Sequence, residues 1–156
     1  MTRFKAFGPL VCAGAVLLAG AAVAGLSGAE AAKARMEHMK GLGAATKAVF
    51  EQVKTGAPDM AVVKLNAAKI DAAAKALPTW FPAGSGQSAE PKSHALPVIW
   101  TDKTGFDTKA KALAAAAPKL LAAANGTDPA AVGPAFKEVG ASCKGCHETF
   151  KAKDKD

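Results

Sequence analysis

Two thiols and an imidazole stand together near one end of this chain, in the run Cys143-Lys144-Gly145-Cys146-His147. On a helix, cysteines three residues apart share a face. Both thiols can then add to the two vinyl groups of one haem while the adjacent imidazole turns to the iron. The spacing predicts one covalent haem c, anchored on Cys143 and Cys146, with His147 as an axial iron ligand. Two other chemistries use such a pair. A redox C-x-x-C of the thioredoxin kind opens a helix after a strand, where the helix dipole lowers a thiol pKa. Here the pair comes late in a helical pattern with no strand before it. A structural zinc site needs four ligands. Cys143, Cys146 and His147 would have to recruit His38 or His94 from far away, and no second C-x-x-C or H-x-x-x-H exists. Haem is the expected reading.

The sixth position of the iron decides what such a haem does. Met36, Met39, His38, Met60 and His94 are the candidates. Methionine on a helix is more often core filler than ligand. His94 lies in a Pro/Gly/Ser-rich stretch and is expected in solvent. His38 points about 100° around the helix from Met39, so the two cannot face one iron. Arg35, four residues before Met39, either reaches a haem propionate or stands solvated near the helix start. No carboxylate pair, nucleophile–base set or phosphate loop points to an enzyme.

Four helical patterns must position these groups. The first runs from near Glu30 to Lys54, with Met39, Leu42, Thr46, Val49 and Val53 on one stripe. Thr46 can stay on that stripe by bonding back to a carbonyl of the preceding turn. The second starts near Asp59, carries Val63, Ala67, Ile70, Ala74 and Leu77 on one face, and stops at Pro78. Residues 78–97 are irregular, and Trp80 and Phe81 are expected to pack back onto the helices. The third spans about Asp102 to Ala124, with a kink expected near Pro118 and a stop at Asn125-Gly126. Asp128-Pro129 then reads as a helix start, which Gly133-Pro134 can delay. That last helix carries Phe136, Val139, Cys143, Cys146 or His147, and Phe150 on one stripe. Short connections imply an all-α antiparallel four-helix bundle, as do the alanine runs and the scarcity of aromatics.

Residues 1–24 read as a signal peptide. Arg3 and Lys5 precede an uncharged apolar run from Pro9 to Ala24, shorter than the roughly 20 residues of a permanent span, with an uncleaved membrane anchor as the alternative. Ala22-Val23-Ala24 offers a cleavage site, and Ala29-Glu30-Ala31 a later one; Cys12 goes with the discarded segment. The haem domain is then 25–156, without a membrane span, and its location the periplasm. The two remaining cysteines both belong to the haem motif, so no disulfide framework is expected. The formal charge of +7 falls to +5 without Arg3 and Lys5. This mildly basic surface suits acidic partners. The lysines are scattered and lack interleaved aromatics, which argues against nucleic acid.

A C-terminal C-x-x-C-H on the last of four helices resembles the cytochrome c′ family, the class II cytochromes c. Arg35-Met36-Glu37-His38-Met39-Lys40 is similar to that family's first-helix R-x-x-x-M-K pattern. Leu77-Pro78-Thr79-Trp80-Phe81-Pro82, Ala95-Leu96-Pro97-Val98-Ile99-Trp100 and Phe106 resemble its segments around the long connection. Cys143 to Lys151 resembles its ending, although Lys151 stands where many members have Arg. The resemblance spans the chain beyond the leader. Members with Leu or Phe at the distal position of the first helix are five-coordinate and bind NO or CO, whereas members with Met there are six-coordinate electron carriers. Met39 stands at that position, so the resemblance implies Met39 as second axial iron ligand and electron transfer with unidentified redox proteins, as a monomer or homodimer. The five-coordinate gas binder is the alternative.

Overall fold

The computed structural model describes residues 26–153. The expected signal peptide, residues 1–24, lies outside the described residues. Four long helices form the bundle: α1 (Gly28–Lys54), α2 (Met60–Ala76), α4 (Lys103–Asn125) and α5 (Val132–Phe150). A single turn, α3 (Val98–Thr101), precedes α4, and 3-10 turns occupy Leu77–Trp80 and Pro129–Ala131.

Short polar side chains start the helices. Ser27 and Glu30 form a capping box on α1: the Glu30 carboxylate accepts from Ser27 N at 2.9 Å, and Ser27 Oγ accepts from Glu30 N at 3.4 Å. The Ser27 N–H holds the Glu30 carboxyl below its ordinary pKa. A cut at Ala24 would leave this cap intact, and a cut at Ala31 would remove it. Asp59 caps α2 through Ala61 N at 2.8 Å, and Asp102 caps α4 through Gly105 N at 2.9 Å. Asp128 also caps as expected, but what it starts is the 3-10 turn that feeds α5.

The helix α4 continues through Pro118, which stands exposed within it. One expectation changes in detail. Gly133-Pro134 does not delay α5: a proline in the first turn needs no N–H partner, so the helix already begins at Val132. As expected, α4 stops at Asn125-Gly126, and Gly126 leaves it in an extended conformation (φ −75°, ψ 176°).

The core follows the apolar stripes. Val63, Ala67, Ile70 and Ala74 on α2 and Leu77 just after it are all buried, as are Leu42 and Val49 on α1. Thr46 Oγ1 donates to Leu42 O at 2.8 Å, which is how it stays on that face. From α4 come Phe106, Leu113 and Leu120, and from α5 Val139 and Phe150. Trp80 and Phe81 are buried; the Phe81 ring meets Phe106 edge-on at 4.7 Å, and Phe106 meets Phe150 at 5.5 Å. Neighbouring helices pack along their lengths, but α1 and α5 scarcely touch each other, and this separation leaves room for the site.

The irregular connection is tied down at both sides. Leu96 N donates to Phe150 O at 3.0 Å and Ala152 N to His94 O at 2.8 Å, flanking an antiparallel bridge between Ala95 and Lys151. At the other side, Gly28 sits against the connection so tightly that a Cβ there would fall 2.1 Å from Gly84 O. Gly84 has φ +75° and cannot yield easily. Gly28→Ala is therefore expected to cost about 1–3 kcal/mol, as overpacking against backbone does. Urea unfolding of the holoprotein checks this, and an unchanged midpoint refutes the contact.

Candidate haem site

The gap between α1 and α5 opens a cleft of about 800 Å³. Leu42 of α1, Phe81 and Ile99 of the connection, and Phe106 and Leu113 of α4 line its apolar wall. From α5 it is lined by Cys143, Cys146 and His147, so the whole C-x-x-C-H run borders one space. The helical period brings the two thiols there together, since residues three apart lie on one face.

Both thiols are free and half-buried. Burial pushes both above the ordinary thiol pKa, and at Cys146 the neighbouring Cys143 adds to the rise while Lys109 opposes it. A redox C-x-x-C needs a lowered thiol pKa, so this environment speaks against that chemistry. Among the described residues, no cluster of three or more His, Cys, Asp or Glu is arranged to hold a metal ion unaided.

On the facing wall, α1 presents Met36, Met39, Leu42, Gly43 and Thr46. Met39 is half-buried there. The other candidates for the iron separate clearly. The His38 ring stacks on Trp80, centroids 4.8 Å apart, and does not line the cleft. Met60 packs against the core away from it. His94, expected in solvent, is exposed but borders the cleft, because the ladder from Leu96 to Phe150 and from Ala152 to His94 draws its segment there.

Arg35 departs furthest from expectation. A solvated arginine is ruled out, since the residue is only 3% exposed. Its guanidinium lies over the Phe81 ring at 4.9 Å and the Trp100 ring at 5.5 Å. Nη1 donates to Ser85 Oγ at 2.9 Å and Trp80 O at 3.4 Å, and Nη2 donates to Ser85 O at 2.8 Å and Ser93 Oγ at 3.0 Å. Burial lowers its pKa, but an arginine stays charged. The side chain also borders the cleft, so one residue joins α1, the connection and the site. Ser85 and Ser93 escaped the sequence reading: a serine in a polar connection carries no pattern that marks it as an arginine's acceptor.

The residues present fit a haem: two thiols and an imidazole on one wall, apolar flanks, and lysines at the opening. Comparison with known proteins agrees. The family model described as Cytochrome C' matches residues 30–151. Cytochrome c' of Pararhodospirillum photometricum is 38% identical over 122 residues, covering 78% of this chain and 90% of that protein. Cytochrome c-556 of Agrobacterium fabrum is 38% identical over 154 residues, covering 98% and 94%. Among solved structures, a ferrous variant of cytochrome c prime from Alcaligenes xylosoxidans with bound NO superposes with a TM-score of 0.73 at 30% identity, over 82% of this chain and 98% of that one. A haem-attachment run on the last helix, a cleft that gathers it, and matches along nearly the whole described chain lead to one conclusion: the chain belongs to the cytochrome c′ family of covalent haem c proteins.

Proposed function

We propose that this protein holds its haem in the α1–α5 cleft through Cys143, Cys146 and His147, and that the α1 face of the site receives a small diatomic ligand such as NO or CO. The observation that carries this reading is the NO-bound relative of the same fold, set beside a cleft whose α1 wall includes the flexible Met36 and Met39 and the small Gly43. When bound, the haem would supply a one-electron iron couple. Of the chain's residues, the two thiols would fix the group, His147 would hold the iron from α5, and Arg35 would offer its remaining N–H to a propionate. Electron transfer through a Met39-ligated haem, which the family resemblance implies, is the second reading. That second reading keeps one observation in its favour, which is that Met39 does border the cleft. A thioether there would close the axial position and raise the reduction potential. Export to the periplasm and assembly as a monomer or homodimer belong to both readings.

A visible spectrum with a CO titration tests the proposal. The reduced protein is expected to be high-spin and to bind CO readily. A sharp low-spin α-band when reduced, a weak far-red charge-transfer band when oxidised, and no response to CO would hand the function to the second reading. In that case Met39→Leu should turn the iron high-spin and open it to CO, and an unchanged spectrum in that variant would remove Met39 as the ligand.

A further inference from the structure

The opening of the cleft carries a feature that neither a diatomic ligand nor the haem attachment requires. Lys40 and Lys47 of α1, Lys92 of the connection, Lys109 of α4 and Lys151 after α5 all border it, and among the described residues no aspartate or glutamate does. Lys40 stands 3.8 Å from Glu37, with both side chains exposed, a distance at which little is held. Lys47, Lys92 and Lys109 form no ion pair among the described residues. Away from the cleft, Lys54, Lys75, Lys103, Lys119 and Lys144 each lie beside a carboxylate, whereas Lys64, Lys69, Lys111 and Lys137 form no ion pair among the described residues; what sets the cleft apart is the gathering of lysines around one opening. The cleft lysines come from four separate segments of chain, so no single helical period explains their convergence. Two propionates would offset at most two of these charges, and a neutral gas gains nothing from them.

The same rim holds an exposed aromatic. Phe50 is 46% exposed, its ring 6.4 Å from that of Phe136, and both residues line the cleft. An aromatic contact within a charged border is the anatomy of a protein–protein interface whose charges set the approach. We propose that the cleft mouth docks a protein bearing an acidic patch, with Lys40, Lys47 and Lys92 steering it and Phe50 making the apolar contact. This rests on the haem site above, because docking here would bring the partner to the cofactor's edge. It holds whether the iron is five- or six-coordinate.

The test uses the holoprotein and an acidic flavodoxin as probe, with binding read from backbone amide shifts at low ionic strength. The shifts are expected to map to the rim and to weaken as salt is raised past roughly 0.1 M, where charges are screened within about 10 Å. A triple variant, Lys40→Gln, Lys47→Gln and Lys92→Gln, should bind about tenfold more weakly, from three modest charge contacts. The control, Lys64→Gln, Lys69→Gln and Lys111→Gln, removes the same charge from residues that do not border the cleft and should bind like the wild type. Equal weakening in both variants would reduce the effect to net charge and overturn the docking surface. So would no binding, or lysine-dependent binding to phosphatidylglycerol vesicles but not to flavodoxin. The visible spectrum of each variant is recorded separately, so a failure of the haem reading shows there and not in the shift map.

Discussion

Protein in which Cys143 and Cys146 are both alanine is expected to carry no haem that survives acid–acetone extraction, and to lose most of its fixed tertiary structure. The two thiols border one cleft and are not joined to each other. Without thioether bonds the cofactor would rest on His147, the Arg35 contact and apolar packing. The bundle suffers next. At about 24 cal/mol per Å³, a closed void of the cleft's 800 Å³ would cost about 19 kcal/mol. That exceeds the roughly 5–15 kcal/mol that holds a domain of this size together. Water entering the open side reduces the cost but leaves Leu42, Phe106 and Leu113 wet. Far-UV and near-UV circular dichroism of the double variant should show reduced helix and little side-chain asymmetry. Haem retained through extraction, or stoichiometric zinc without haem in wild-type protein made with the attachment machinery, would overturn the assignment.

Arg35→Met should lower the stability of the holoprotein by at least about 3 kcal/mol. Four hydrogen bonds leave the guanidinium, and bonds from a charged donor are worth roughly 1.5–3 kcal/mol each when their acceptors stay buried. Ser85 and Ser93 are both buried, so their oxygens cannot turn to water without moving the connection. The methionine keeps some contact with Phe81 and Trp100 but offers no donor. Lysine at this position should recover less than half of the loss, because an ammonium cannot span the acceptors that the planar fork reaches. Guanidinium unfolding of the three proteins measures this. Faster amide exchange in residues 82–97 of the methionine variant would place the loss in the connection. A loss below about 1 kcal/mol would mean that the bridge to Lys151 holds that segment without Arg35.

Local rules explain why so much of this chain could be read in one dimension. The capping residues Asp59, Asp102 and Asp128, the five-residue stripe from Val63 to Leu77 and the back-bond of Thr46 to Leu42 depend on neighbours within a turn or two. The C-x-x-C-H run is legible for the same reason, since its chemistry is written in the spacing of adjacent residues. Sequence by itself therefore determined the all-α bundle, the attachment motif and the face of α1 that looks toward it. What it could not supply depends on residues far apart in the chain. The partners of Arg35 lie 45 to 58 positions away. His94 reaches the cleft only because the connection pairs with the chain after α5. The five lysines look scattered along the sequence, and only packing of the helices gathers them around one opening. Periodicity encodes which face of a helix is buried. Which distant side chains then meet is decided by the tertiary arrangement, because no local interaction energy distinguishes Ser85 or Lys92 from any other polar residue in a connection.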